Sequence, residues 1–271
     1  MGVKLLSEKI TLYGFNNLTK SLSFNIYDVC YAATKQEKED YTAYIDEQYN
    51  SERLTSILLK VTEMIGAHVL NISKQDYDPL GASVNVLIAD DKLDHDLIDS
   101  SNNLGFVDGQ NLIHAHLDKS HLTVHTFPES HPNKNVSTFR VDIDVATCGK
   151  VSPLNTLDFL ISQFESDIMT LDYRVRGFTR DKDGQKIFID HSITSIQDYI
   201  SDQTLEAYDA TDINVYQANI FHTKMKIKDI DLPHYLFNKN YENLSATKKE
   251  SIYKSLLKEM IEIYSGMNIY G

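Results

Sequence analysis

Three segments of the chain show the spacing of an amphipathic helix. Between Ser51 and Gly66, apolar side chains recur at i, i+3, i+4, i+7 and i+11, which aligns them on one face, and Gly66 is placed to end the helix. A second helix is predicted to begin at Pro153, because proline suits a first helical turn, and a third near Ser245. Their apolar faces are Leu54, Ile57, Leu58, Val61 and Ile65; Leu157, Leu160, Ile161 and Phe164; and Ile252, Leu256, Met260 and Ile263.

Shorter segments rich in β-branched and aromatic residues predict strands. In Ser137–Thr147, apolar and polar side chains alternate as they do in a half-buried strand. Asp183-Gly184 predicts a hairpin turn, and residues 78–81 and 90–110 predict a turn and a long surface loop. The predicted strands are Leu22–Tyr31, His68–Ser73, Ala82–Ala89, His121–Phe127, Ser137–Thr147, Ile168–Phe178, Lys186–Ile193 and Ile213–Ile227, with a polar helical region near 195–208.

These elements predict a single α+β domain over residues 1–271. Its sheet is expected to be largely antiparallel, with helices on one face, because strands and helices do not alternate regularly along the chain. A chain of 271 residues is long enough to bury a substantial core. No internal repeat and no low-complexity linker divides the sequence.

Composition and charge narrow the classes of function. The formal net charge of −13 argues against partners that are nucleic acids or anionic membranes. No apolar stretch approaches the ~20 residues that cross a bilayer, and the first residues lack the pattern of a secretory signal. Cys30 and Cys148 do not form a disulfide framework. We therefore expect a cytoplasmic protein with both thiols reduced.

Histidines crowd into one short stretch. Five of the ten fall between His114 and His131. A zinc site needs its nitrogens close to one ion, but the residues between His121 and His125 favour a strand, along which the two would lie roughly 13 Å apart. A histidine-ligated metal is therefore not expected. An enzyme and a non-catalytic binding module with structural histidines both fit the cluster.

The residues around the cluster carry a family resemblance. The run from Asp118 to Glu129, which contains Lys119-Ser120-His121 and His125, resembles the self-cleavage motif of the S-adenosylmethionine decarboxylase proenzymes. The resemblance to their long bacterial form continues over nearly the whole chain, in residues 14–24, 167–181 and 214–225. It implies the α/β sandwich of that family, with oligomers of αβ units that associate through their sheets.

The resemblance implies self-cleavage between Lys119 and Ser120. In that reaction the serine hydroxyl attacks the carbonyl of the preceding residue, and β-elimination then leaves a pyruvoyl group. The products are a β chain of residues 1–119 and an α chain of residues 120–271. Removal of the serine Cα proton needs a base, for which neutral histidine is suited near pH 7. The resemblance assigns that role to His125, and Ser83 resembles a serine that assists processing.

The resemblance further implies how the mature enzyme works. The pyruvoyl group, derived from Ser120, forms a Schiff base with S-adenosylmethionine and accepts the electrons left by CO₂, so that no external cofactor is required. Cys148 is assigned as the proton donor to the product, the aminopropyl donor for spermidine synthesis. A thiol can act in this way when it is protonated near neutral pH. Stimulation by Mg²⁺ is also implied, although the sequence shows no ligand set for it.

The spacing of the processing residues poses a geometric problem. In an extended strand, five residues separate Ser120 from His125 by about 16 Å, and the two side chains point to opposite faces. Either the chain bends sharply after Ser120, or the histidine comes from a second subunit. Two other functions also stay open: a pyruvoyl-dependent decarboxylase of another amino acid, and a non-processing regulatory paralogue.

Overall fold

The computed structural model describes residues 16–89, 120–149, 151–164, 166–237 and 239–270. Eight strands form one antiparallel sheet in the order β2-β3-β4-β5-β1-β6-β10-β9, and β7 pairs with β8 in a small hairpin. The strands are β1 (Thr19–Tyr31), β2 (His68–Asp76), β3 (Ala82–Ala89), β4 (Ser120–Ser130), β5 (Val136–Cys148), β6 (Ile168–Arg176), β7 (Thr179–Arg180), β8 (Lys186–Ile187), β9 (Tyr208–Asp212) and β10 (Ile220–Ile227).

The α-helices in these ranges are α1 (Lys35–Gln48), α2 (Ser51–Met64), α3 (Leu157–Gln163), α4 (Asp202–Ala207) and α5 (Ala246–Ser265). The α+β class and the antiparallel sheet are confirmed. So are the helices predicted to begin near Ser51 and Ser245, whose first turns are capped by the side chains of Asn50 and Ser245. Pro153 opens a short 3₁₀ turn that leads into α3.

The central strands bury one face because apolar residues occupy every second position. In β1, Leu22, Phe24 and Ile26 are buried and lie opposite apolar residues of β5. Helices α1, α2 and α3 pack on this face and contribute most of the main hydrophobic cluster with the sheet. We call it the core face, and we call the other the open face.

The C-terminal helix packs on the other side of the sheet. Its buried residues Ile252, Leu256 and Met260 form a second cluster with Val29 and Tyr31, which alternate with the core-face residues of β1. Most helices therefore lie on one face, as predicted, while α5 covers one end of the opposite face. At the other end of that face, β3 and β4 expose Asn85 and His125.

Two predictions about local structure were wrong. Lys186–Ile193 is not a strand: only Lys186–Ile187 pairs, around the confirmed Asp183-Gly184 turn. Ile213–Ile227 is not one strand either, because Asn219 adopts a left-handed conformation and reverses the chain, so that β9 pairs with β10. Apolar residues in the turn itself imitated strand alternation.

Helix α1 and strand β9 were not predicted from the sequence. The segment of α1 is rich in charged residues, but a capping box between Thr34 and Glu37 starts it, and Tyr41 and Ile45 are buried. The predicted loop at residues 90–110 lies outside the described residues. No helix within the described ranges is long and apolar enough to cross a membrane.

Candidate active site

Ser120 is the first residue of β4 and is almost fully buried, with 4% of its surface exposed. It lies beside Ile88 of β3, and alternation places it on the core face with Leu122 and Val124. Its Oγ accepts a hydrogen bond from the backbone N–H of Cys148, with an N···O distance of 3.2 Å. Two residues to which the resemblance assigns chemistry therefore meet where β4 begins and β5 ends.

Cys148 is the last residue of β5 and pairs with Thr19 of β1. The residue is buried, and its neighbour Gly149 turns the chain away from the strand with a φ of 72°. A left-handed backbone of this kind favours glycine, which has no Cβ. The N–H of Gly149 donates to the carbonyl of Leu18 at 3.2 Å, which holds the turn against the start of β1.

A buried ion pair lies behind this turn. The Lys20 ammonium donates to the carbonyl of Gly149 at 2.8 Å and to Oδ2 of Asp190 at 2.9 Å. Asn16 donates to the same two oxygens, at 3.1 Å and 2.7 Å. Only 2% of the Lys20 side chain and 12% of the Asp190 side chain are exposed. We call Asn16, Lys20 and Asp190 the Gly149 clamp.

The clamp continues into the core through a histidine and a tyrosine. Nδ1 of His191 bonds Oδ1 of Asp190 at 2.8 Å, and its Nε2 bonds the hydroxyl of Tyr173 at 3.1 Å. Burial by itself raises the pKa of the Asp190 carboxyl, but hydrogen bonds from His191, Lys20 and Asn16 outweigh burial and hold that pKa well below its usual range. Asp190 is therefore a carboxylate at any pH near neutrality.

The Gly149 clamp was not predicted from the sequence, although Lys20 left a signal there. Lys20 stands at the head of an alternating series with Leu22, Phe24 and Ile26, so that the period of a strand directs its side chain to the core face. A lysine in an apolar series is a buried charge, and a buried charge requires a partner. Asp190 left no such signal, since its segment has no regular period.

Ser83 and His125 lie directly opposite each other on β3 and β4. Both side chains belong to the open face, where His125 is exposed and Ser83 is half-buried. The Ser83 hydroxyl shares a hydrogen bond of 2.7 Å with the hydroxyl of Tyr77. The His125 ring stacks beside Phe127, with 6.4 Å between the ring centroids.

The structure does not bring His125 to Ser120 within the chain. Every residue of β4 from Ser120 to His125 pairs with β3 in an unbroken register, which leaves no bend between them. At about 3.3 Å per residue, the two Cα atoms are separated by roughly 16 Å. The side chains also point to opposite faces of the sheet.

Other predicted residues lie outside this arrangement. Lys119 and His114 fall outside the described residues. His121 lies on the open face, opposite Ala146 of β5. In the part of the chain that the structure describes, no group of three or more His, Cys, Asp or Glu side chains is placed to hold a metal ion.

A cavity of about 620 Å³ opens at the far end of β1. Its lining includes Asp28, Cys30, Asp167 and Tyr235, and neither Ser120 nor Cys148 belongs to it. Burial raises the pKa of the Cys30 thiol to about 12, with a further contribution from Asp28. Cys30 is therefore a protonated, unreactive thiol at neutral pH.

Known proteins of one family are similar to this chain over nearly its whole length. Residues 41–177 match the sequence model of the family described as S-adenosylmethionine decarboxylase. An S-adenosylmethionine decarboxylase proenzyme of Alkaliphilus oremlandii is 66% identical over 267 residues, which cover 98% of this chain and 99% of the relative. A protein of the same name in Clostridium perfringens is 66% identical over 268 residues, with the same coverage.

One solved structure bears a weaker likeness. The adenosylmethionine decarboxylase of Aquifex aeolicus aligns with a TM-score of 0.31 and 15% identity, over 66% of this chain and 99% of that chain. The chain belongs to the S-adenosylmethionine decarboxylase family.

Proposed function

We propose that this protein cleaves itself between Lys119 and Ser120 and then decarboxylates S-adenosylmethionine. The observation that carries the proposal is the hydrogen bond from the Cys148 N–H to Ser120 Oγ. It orients the hydroxyl that must attack, and it comes from the backbone of the residue whose thiol is proposed as the proton donor in turnover. The relatives at 66% identity, which are named as proenzymes of this activity, support the same reading.

The cleavage begins with attack of Ser120 Oγ on the carbonyl carbon of Lys119. The C–N bond of that peptide breaks, and an ester to Oγ forms in its place. A base then removes the Cα proton of Ser120, and the Cβ–Oγ bond breaks to release Lys119 as a carboxylate. The remaining dehydroalanine tautomerises and reacts with one water, which releases ammonia and leaves a ketone at the new chain end.

The Cys148 N–H serves both steps in which a bond to Oγ changes. A donated hydrogen bond orients the lone pairs of the hydroxyl before attack and stabilises negative charge on the same oxygen when it leaves. The bond comes from the backbone, so that it depends on the position of the strand end rather than on the thiol. The Cys148 side chain is thereby left available for the later proton transfer.

We assign the base to His125 of a second copy of the chain. His125 and its neighbour Ser83 face outward from the open face, and the straight course of β4 keeps them from the Ser120 of their own chain. A two-fold dimer in which His125 on the open face of one copy reaches the start of β4 in the other would supply each Ser120 with the histidine of the other copy. The protein is accordingly proposed to work as a homo-oligomer of αβ units.

In the mature enzyme the pyruvoyl group supplies an electron sink for the electrons left by CO₂. The residue types present fit its formation, since a buried serine with a fixed hydroxyl stands where the group must arise. The Cys148 thiol is proposed to deliver the proton that replaces CO₂ on the substrate carbon. Mg²⁺ stimulation remains a prediction without a proposed site.

The test combines a denaturing gel with an assay of CO₂ release. Freshly made protein is expected to split into two chains and to release CO₂ from carboxyl-labelled S-adenosylmethionine, whereas Ser120→Ala stays uncut and inactive. Release from labelled arginine or ornithine in place of S-adenosylmethionine would overturn the substrate assignment. A wild-type protein that is never cleaved and never releases CO₂ would point to a regulatory paralogue.

A further inference from the structure

The Gly149 clamp places a buried ion pair at the end of an otherwise apolar strand face. Positions 22, 24 and 26 of β1 on that face are Leu, Phe and Ile, all fully buried, whereas position 20 holds a lysine with 2% of its side chain exposed. Burying an ammonium and a carboxylate costs several kcal/mol in desolvation, and apolar replacements of such pairs are often no less stable. Global stability alone therefore does not account for Lys20 and Asp190.

The clamp converges on one carbonyl oxygen. Lys20 and Asn16 both donate to the Gly149 carbonyl, which fills its two lone pairs, and both also bind Oδ2 of Asp190. The Gly149 N–H is held by Leu18. Both backbone polar groups of the residue after Cys148 are thus held by hydrogen bonds within the protein.

The end of a strand is where backbone pairing opens most easily. Cys148 is the last residue of β5, and it is also the donor to Ser120 Oγ. Opening of this last position would turn its N–H away from the hydroxyl that has to attack. The contacts that hold Gly149 in place therefore also keep the Cys148 N–H on its acceptor, Ser120 Oγ.

We propose that Lys20 and Asp190, with Asn16, are positioning residues for self-cleavage, which hold the Cys148–Gly149 turn so that the Cys148 N–H keeps Ser120 Oγ aligned for attack. The inference rests on the proposed self-cleavage at Ser120. It concerns the first step, the formation of the ester, and not the later removal of the Cα proton.

The decisive variant is the double substitution Lys20→Met with Asp190→Asn. It removes both charges together, so that no unpaired buried charge is left to unfold the protein. We expect a folded protein, shown by a circular dichroism spectrum like that of the wild type, whose self-cleavage half-time is at least ten times longer. Asn16→Leu, which removes the amide donor and the acceptor of the Leu18 N–H but no charge, should lengthen the half-time by a smaller factor.

A chemical probe separates positioning from a general loss of activity. Hydroxylamine cleaves esters much faster than amides, so it splits chains that have reached the ester but cannot go further. His125→Ala is expected to accumulate the ester and to be split by hydroxylamine. The double variant is expected to stay uncut under the same treatment, because it is delayed before the ester forms.

A matched control lies at the other end of the molecule. Lys239 and Glu37 form a partly buried ion pair with 19% of each side chain exposed, far from Ser120. Lys239→Met with Glu37→Gln removes the same kinds of charge and should cleave at the wild-type rate. A comparable slowing in this control would show that the delay reflects general destabilisation, and it would overturn the inference.

The remaining outcomes are equally distinct. A folded double variant that cleaves as fast as the wild type overturns the positioning role while self-cleavage itself stands. Release of fragments from the double variant by hydroxylamine places the defect after the ester and also overturns it. If the double variant does not fold, the self-cleavage rate of Asn16→Leu is the test. A wild-type rate in Asn16→Leu would contradict the positioning role of the clamp. A wild-type chain that never cleaves removes the proposed function itself.

Discussion

Ser120 and Ser83 lie on neighbouring strands of the same sheet but in opposite environments. Ser120 is buried on the core face, with its hydroxyl held by the backbone of Cys148. Ser83 is half-buried on the open face, with its hydroxyl bonded to Tyr77 and the exposed His125 directly across from it. In the proposed mechanism, the first environment fixes the nucleophile and the second presents the base outward.

In the proposed mechanism, one subunit contains two halves of different processing sites. Its core-face half holds the oxygen that attacks, and its open-face half holds the groups that a second copy needs. The first half can be altered without touching the second, because the sheet separates them. Experiments that break one half and supply the other from a second chain therefore test the comparison.

The largest effect is expected from mixed oligomers. Ser120→Ala and His125→Ala should each stay uncut alone. In a mixed dimer, the Ser120→Ala chain supplies the histidine that the His125→Ala chain lacks, and the His125→Ala chain can then be cleaved. In randomly mixed two-fold dimers about half of the His125→Ala chains should be cleaved. Co-expression of differently tagged variants, followed by a denaturing gel, makes the measurement. If cleavage never appears in verified mixed dimers, the base acts within its own chain or is not His125.

Cys148 distinguishes the backbone of the strand end from its side chain. Cys148→Ala keeps the N–H that binds Ser120 Oγ, so self-cleavage should proceed, whereas kcat for CO₂ release should fall by about 10²-fold or more because a proton donor is lost. Cleavage on a gel and CO₂ release are measured on the same preparation. Cys30→Ala is the control and should leave both unchanged. An unaltered kcat in Cys148→Ala would contradict the proton-donor role.

Ser83 should have a moderate influence on processing. Removing the hydroxyl of Ser83, directly across from His125, breaks its hydrogen bond to Tyr77. The net value of one such hydrogen bond is about 1 kcal/mol. Ser83→Ala is therefore expected to cleave roughly fivefold more slowly, as measured by the half-time on a gel. Tyr77→Phe should reproduce part of the delay. Full wild-type speed in both variants would remove Ser83 from the account.

The smallest effect concerns stability at low pH. The pKa of Asp190 is held down in the folded state by its hydrogen bonds, so that its contribution is present above its unfolded pKa of about 4 and is lost as pH falls through the folded value. The Tm difference between wild type and Asp190→Asn should have its largest value at pH 7 and should become smaller below about pH 4. Glu250→Gln, which removes an exposed ion pair, should change Tm little at any pH. A difference that grows on acidification would contradict the sign of this effect.

The sequence predicted elements with strong periods and missed those without them. Strand β3 was predicted with its observed ends, because alternation and a flanking turn define it. Helix α1 was missed because only two large residues of a charged segment, Tyr41 and Ile45, face the core. The turn at Asn219 was missed because nearby apolar residues continued the alternation.

The candidate site divides in the same way. The alternation of β1 alone indicates that Lys20 is buried. Its partner Asp190 lies 170 residues away in a segment without a regular pattern, so the pair is visible only in the folded chain. The roles of His125 and Cys148 came from the family resemblance and not from spacing. Conversely, the spacing of Ser120 and His125 correctly indicated that a straight strand would keep them apart.

The most direct measurement is the intact mass of the purified, active protein. The account predicts two chains: one ending at Lys119, and one that begins at position 120 with a ketoacyl group, lighter by one ammonia than the same fragment with a free serine. A fully active preparation that consists of the continuous 271-residue chain, or a fragment that begins with an unmodified serine, would contradict it.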